Sequence, residues 1–333
     1  MNKFLLLILF LSFSGVFAQG EANNWYFGRN AGITFNTNPP SALNNGKLST
    51  AEGCSSISDA NGNLLMYTDG RTIWNKNHQI MSNANYFGGT GLNGDPSSTS
   101  SGLIVPHPTK PNLYFVFTID EPHHENANAY PNQGPADENG IPMPVYSYTN
   151  GGVPDEDDGF NNGLNYSIVD MNLNGGLGDV ISGERNNELV TYDPTDSEEI
   201  KYKASEKITA VRGRDCNSVW LITQFRNQFY AFLIDENGLD EIPVISQVPP
   251  LIEITDYRRA ALGYLKASPN ADRLLVAHNT TNYDPITEND FGDGNVYAYD
   301  FDNLTGQVSS PLELINNVNA YGVEFSQDGT KAY

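Results

Sequence analysis

The sequence predicts an all-β fold, a β-propeller of four-stranded blades, and three observations carry that prediction. Amphipathic helical stretches are nearly absent. One signature recurs instead: a turn rich in Asp, Asn, Gly or Pro, followed by a short aromatic and β-branched run. The signature returns at blade-like spacing, 49 residues from the Asp59 turn to the Pro108 turn and 58 from the Pro269 turn to the Gln327 turn.

The copies appear in order along the chain. Asp59-Ala60-Asn61-Gly62-Asn63 is a turn and Leu64 to Thr68 the strand after it. The next strand is predicted at Leu113 to Ile119, then at Val219 to Gln224, then at Arg273 to His278. A fifth copy begins at Val323 and breaks off at Tyr333, so we expect a fragment of a longer chain whose propeller is incomplete at its C-terminal end. Second strands follow several copies, at Phe229 to Ile234 and Val296 to Asp300. Gly and Asn in the turns supply the positive φ angles of tight hairpins. Tandem β-sandwiches are the alternative architecture. A β-helix would need a shorter and stricter period.

Residues 1–18 precede this pattern and read as a signal peptide. Lys3 gives a positive start, Phe4 to Phe10 is apolar, and Val16-Phe17-Ala18 offers a cleavage site before Gln19. The apolar run is interrupted by Ser12, Ser14 and Gly15, well short of the roughly 20 apolar residues of a membrane span. Residues 19–333 form the propeller domain, with a long insertion at 121–163 that is rich in Pro and ends near an acidic run. A loop of that length is usually functional or disordered. A shorter acidic connection runs from Glu184 to Glu206.

Forty Asp and Glu against 18 Lys and Arg give a net charge of −22. No basic cluster is present to neutralise phosphates, which excludes nucleic acid as a partner. The same balance argues against anionic membrane surfaces, and no membrane insertion is expected. The two cysteines, Cys54 and Cys216, make no disulfide framework; buried free thiols are favoured over a pair.

Chemistry is sparse. His123-His124-Glu125 tests as a metal pair, but adjacent histidines in an extended loop point apart. These two, with Tyr130, Tyr146 and Tyr148, are instead candidates for a ligand-binding loop, the tyrosines suited to stacking on sugar rings. Asp155, Asp157 and Asp158 form one oxygen-rich loop and Asp290, Asp293 and Asn295 another, both candidates for Ca2+, although neither has EF-hand spacing. Hairpin turns use the same residues for backbone reasons. No nucleophile elbow or phosphate loop is present, so no catalytic residue is assigned, and Asn174 to Asp179 reads as a hairpin.

Five stretches resemble one family in order: Asn23 to Asn36, Glu52 to Met81, Asn165 to Val180, Glu206 to Asp235 and Ala320 to Tyr333. They look like the N-terminal propeller region of large secreted Bacteroidetes-type proteins. Such proteins end in a gliding-motility-associated C-terminal domain, a type B sorting signal for type IX secretion. The last stretch also resembles YVTN and WD-like repeats. The resemblance implies export and display on the cell surface or release. It implies the type IX machinery as a partner through a C-terminal domain that this sequence lacks, and it carries no catalytic residues. Three functions follow as expectations. One is a binding or scaffold module, in adhesion or gliding-associated surface function, with a glycan or protein surface ligand. Another is a propeller hydrolase or lactonase with a metal in the central channel, and the third is a structural spacer. Intact mass of exported protein should match a chain beginning at or near Gln19; retention of Met1 to Ala18 would refute the signal peptide.

Overall fold

The turn at Asp59 shows how this sequence makes strands. The Asp59 carboxylate accepts the backbone N–H groups of Asn61 and Asn63 at 2.9 and 2.8 Å, while Gly62 takes φ +82°. The chain is thereby reversed, and Leu64–Thr68 leaves as a strand. The device recurs. Asp215 accepts from Asn217 N–H and the Ser218 hydroxyl, Asp302 from Leu304 N–H and the Thr305 hydroxyl, and Asp328 from Thr330 N–H and hydroxyl.

The computed structural model describes residues 20–122, 133–136, 142–144, 162–253, 260–284 and 289–333. For 133–136, 142–144, 281–284 and 289–291 it describes the backbone alone. Helix among these residues is limited to Glu199–Tyr202 and two short 3-10 turns. The strands are all antiparallel, joined by turns and irregular segments. The first sheet holds Asn24–Phe27, Ala31–Thr34 and Ser41–Leu43, and the second Ser55–Ser58, Leu64–Thr68 and Ile73–Asn75. The third begins with Gly102–Pro106, Leu113–Ile119 and Leu164–Asp170; Asp179–Val180 and Asn187–Leu189 both pair with its third strand. The fourth runs Ile208–Arg212, Val219–Phe225, Gln228–Asp235, with Gly238–Leu239 and Val244–Gln247 beside the last. The fifth runs Leu265–Ala267, Arg273–His278, Gly294–Asp302 and Gln307–Val318.

Each sheet packs on the next. Phe117, Phe225 and Phe232 fill the space between the third and fourth sheets, Met66, Ile104 and Val169 that between the second and third, and Trp220, Leu274 and Tyr299 that between the fourth and fifth. The leading strands of the second to fifth sheets touch in succession, so their first residues converge. Residues 320–325 continue the sequence: Val323 packs on Leu275 and Ala277, and Tyr264 N–H donates to the Tyr321 carbonyl at 2.9 Å. Among the described residues no helix is long and apolar enough to cross a membrane.

Within the 121–163 insertion the described segments Gln133–Ala136 and Pro142–Pro144 pair as two antiparallel strands. The Glu184 to Glu206 connection contains the strand Asn187–Leu189 and the helix Glu199–Tyr202. Neither cysteine is a buried thiol: Cys54 is half-buried, and Cys216 is exposed at φ +60° in the turn between two strands. Replacing Phe232, fully buried between the third and fourth sheets, by alanine should cost about 3–5 kcal/mol in urea unfolding. Ile245→Ala, at a side chain 51% exposed, should stay within about 0.5 kcal/mol.

Candidate functional site

The site is built where the leading strands converge. The residues just ahead of each strand carry its polar groups: Glu52 before Ser55, Thr99 before Gly102, Glu206 and Lys207 before Ile208, and Tyr264 before Leu265. Glu206 is 1% exposed, and its Oε2 accepts the Thr99 backbone N–H at 2.7 Å and the Thr99 hydroxyl at 2.6 Å. The next residue points elsewhere. Lys207 is fully buried, and its Nζ donates to the carbonyls of Ala260, Ala261 and Leu262 at 2.9, 2.6 and 2.8 Å.

Negative charge is crowded here. Burial pushes the Asp95 carboxyl well above its usual range, and the carboxylates of Glu121 and Asp120 push it further. Burial likewise raises Glu206 to about 8, with Glu121 adding and the Thr99 hydrogen bonds opposing. Lys207 moves down because burial outweighs the attraction of Glu206. Beside it lies His278, 1% exposed, with neither ring nitrogen hydrogen-bonded and its pKa driven well down by burial and by Lys207. At the rim Glu52 accepts the Tyr321 hydroxyl, and burial lifts its carboxyl above the ordinary range.

A cavity of about 220 Å³ opens along the leading strands, lined among others by Glu52, Cys54, Thr99, Ile208, Tyr264 and Lys266. Lys266 Nζ lies 4.8 Å from the Tyr264 ring centroid and 3.4 Å from Glu324. The cavity therefore offers a carboxylate, an ammonium, an aromatic ring and a hydroxyl within one enclosure. The Cys54 thiol, pushed up to about 11 by burial and Asp69, stays protonated at neutral pH.

Of the sequence candidates, Asp290, Asp293 and Asn295 lie among the described residues. Residues 1–18, His123, His124, Tyr130, Tyr146, Tyr148, Asp155, Asp157 and Asp158 lie outside the described residues. Asp290 stands on the strand Asn289–Gly292, opposite Tyr283. Asp293 is exposed, and Asn295 is the second residue of the next strand, opposite His278, its Oδ1 buried without a hydrogen bond. The stretch read as an oxygen-rich turn is thus two strands joined at Asp293. Among the described residues no three His, Cys, Asp or Glu side chains are placed to hold a metal ion.

Glu52, Thr99, Glu206, Lys207 and Tyr321 were not found from sequence. One signal was available: Glu52 and Glu206 each open a stretch of the family resemblance, directly ahead of a leading strand.

No family model matches the chain. No curated protein matches it either. Solved structures do. Apo AztD from Citrobacter koseri aligns at 12% identity and TM-score 0.32, covering 90% of this chain and 71% of that one. The periplasmic gluconolactonase PpgL from Pseudomonas aeruginosa aligns at 12% identity and TM-score 0.29, covering 88% and 69%. A candidate 6-phosphogluconolactonase from Bacteroides fragilis aligns at 12% identity and TM-score 0.27, covering 80% and 82%. At these scores the likeness says nothing of this chain's site.

Glu206 has a raised pKa in the folded chain, so its contribution to stability is full at low pH and is lost as pH rises. Between about pH 5 and pH 7 it should make the wild type progressively easier to unfold. Glu206→Gln keeps an acceptor for Thr99 and should flatten that part of the slope in urea titrations across the same range. An unchanged slope would mean Glu206 is ionised at neutral pH.

Proposed function

We propose that the chain is an exported propeller module that binds a surface ligand, a glycan or protein, at the convergence of its leading strands. The observation that carries this reading is the cavity of about 220 Å³ lined by Glu52, Thr99, Tyr264 and Lys266. With Ile208 and Thr209, its groups come from four segments, and each is held by its own sheet. Rigid elements carrying polar groups into a shared hollow are the usual form of a recognition site. The family resemblance supports display at the cell surface through type IX secretion, and the 121–163 insertion, between Ile119 and Leu164, would add contacts on the same molecule.

A second reading has one observation in its favour. Glu52 lines the cavity with a raised carboxyl and a Tyr321 hydroxyl bonded to it, a pairing suited to general acid–base work. A hydrolase acting on sugar lactones would use it, and the spacer reading would use neither residue.

The intact exported chain on a glycan array, and on cells of its own kind, separates the three. A bound glycan or cell-surface ligand should be held about tenfold less tightly by Lys266→Glu and by Tyr264→Ala, with the unfolding midpoint little changed. Hydrolysis of a sugar lactone by the wild type, lost in Glu52→Gln, would replace the binding reading with the enzymatic one. Failure to bind or hydrolyse anything would leave the spacer.

A further inference from the structure

We infer that the cavity at the convergence of the leading strands takes a sugar residue bearing a free amino group, with its ammonium set against Glu52. The inference rests on that cavity being the binding site and adds the class of ligand it selects.

The cavity holds about 220 Å³, below the roughly 300–1,000 Å³ of pockets for drug-sized ligands, so it has room for one residue of a glycan. Two tyrosines stand at one side of it. Tyr264 lines the cavity, and the Tyr321 ring lies 5.6 Å from the Tyr264 ring at 82°. Glu52 lines the cavity as well and accepts the Tyr321 hydroxyl, which fixes the carboxylate beside the pair. A carboxylate next to aromatic rings suits an ammonium, because ring and carboxylate both attract it. Tyr264 already takes one such group. The Lys266 ammonium lies 4.8 Å from its ring centroid and pairs with Glu324 at 3.4 Å. Glu52 has no such partner, since no described lysine or arginine forms an ion pair with it.

The charge behind Glu52 is of one sign. Burial raises its carboxyl, the Tyr321 hydroxyl opposes the rise, and the Glu121 carboxylate adds to it. Glu206, bonded to Thr99 of the cavity lining, is raised by burial and then by both Glu121 and Glu52. A cation against Glu52 is drawn by this field, and an anion there is repelled. A divalent metal fits less well, because among the described residues no three His, Cys, Asp or Glu side chains are placed to ligate one. The remaining lining favours a sugar over an alkyl amine. Ser55, Thr99, Ser100 and Thr209 bring four hydroxyl-bearing residues to the cavity. A pyranose ring matches them with hydroxyls of its own, and it has a C–H face for the Tyr264 ring. An alkyl stem offers the hydroxyls nothing.

Ligand-observed NMR titration of the intact exported chain tests this with the methyl glycosides of glucosamine and N-acetylglucosamine. The two share one ring, and acetylation turns the ammonium into a neutral amide. Methyl glucosaminide should bind about tenfold more tightly. Glu52→Gln keeps an acceptor for Tyr321 and removes the charge. It should cost the glucosaminide about tenfold, leave the acetylated glycoside unchanged and leave the unfolding midpoint in place. Equal binding of the two glycosides, or a glucosaminide affinity that Glu52→Gln does not alter, overturns the ammonium assignment and leaves the cavity reading standing. Nα-acetyl-lysine methylamide bound as tightly as the glucosaminide overturns the sugar assignment. Failure of the wild type to bind either glycoside at millimolar concentration overturns the inference as a whole. The cavity reading falls separately, when a ligand found on the glycan array is held equally well by Tyr264→Ala.

Discussion

Glu206 and Lys207 are neighbours in sequence, both buried, and each is tied to a different sheet. Glu206 holds the segment ahead of the third sheet through Thr99, and Lys207 holds the segment ahead of the fifth through three consecutive carbonyls. Taking a carboxyl and an ammonium out of water is expensive, and the cost is met only where every hydrogen-bonding position is filled. That requirement fixes the surrounding backbone closely. Gly263 takes φ +110°, and a Cβ there would lie 2.5 Å from the Ala277 carbonyl. A Cβ on Gly53 would lie 2.3 Å from Ser101 N. The segments ahead of the leading strands meet backbone against backbone, leaving the polar side chains between them little freedom to move.

The same arrangement sorts the charge of the molecule. Carboxyl groups gather at the convergence, where Asp95 and Glu206 are raised by burial and by one another's neighbours. A groove between the third and fourth sheets is more evenly charged, with Arg212 and Glu21 along it and Lys110 and Asp235 acting on His107 from beside it. Net charge describes solubility and long-range steering. It does not describe either recess, each of which is governed by a few groups at short range.

What was legible in the sequence follows from how local its cause is. Leu64–Thr68, Leu113–Ile119 and Arg273–His278 fall where the turn and the apolar run after it place them, since reversals anchored on Asp59, His107 and Ser268 and the β-branched residues after them act within ten positions. Asp290 to Asn295 went astray for the complementary reason. Asp, Gly and Asn suit a turn as a set, but pairing of Gly294–Asp302 with Arg273–His278 draws Asn295 into a strand. The site was hidden because it is assembled across the chain. Thr99 and Glu206 are 107 residues apart, and no spacing rule reaches that far. Their residue types, a threonine and a glutamate ahead of a strand, are common on any surface.

The longest of these links bears on how the cavity keeps its shape. Tyr321 reaches Glu52 across 269 residues, while its own carbonyl accepts the N–H of Tyr264. Glu52 and Tyr264 both line the cavity, so one tyrosine near the end of the described chain positions two of its walls. Contacts so distant in sequence form late, after loop closure has been opposed by chain entropy. The sheets can fold on their local turns and cores without this contact. The cavity's geometry cannot, because it depends on residues 320–325 packing beside the fifth sheet. Stability and the shape of the cavity are in this way carried by different contacts. A change that loosens Val323 against Leu275 and Ala277 would reach the Glu52 carboxylate before it reached the cores between the sheets.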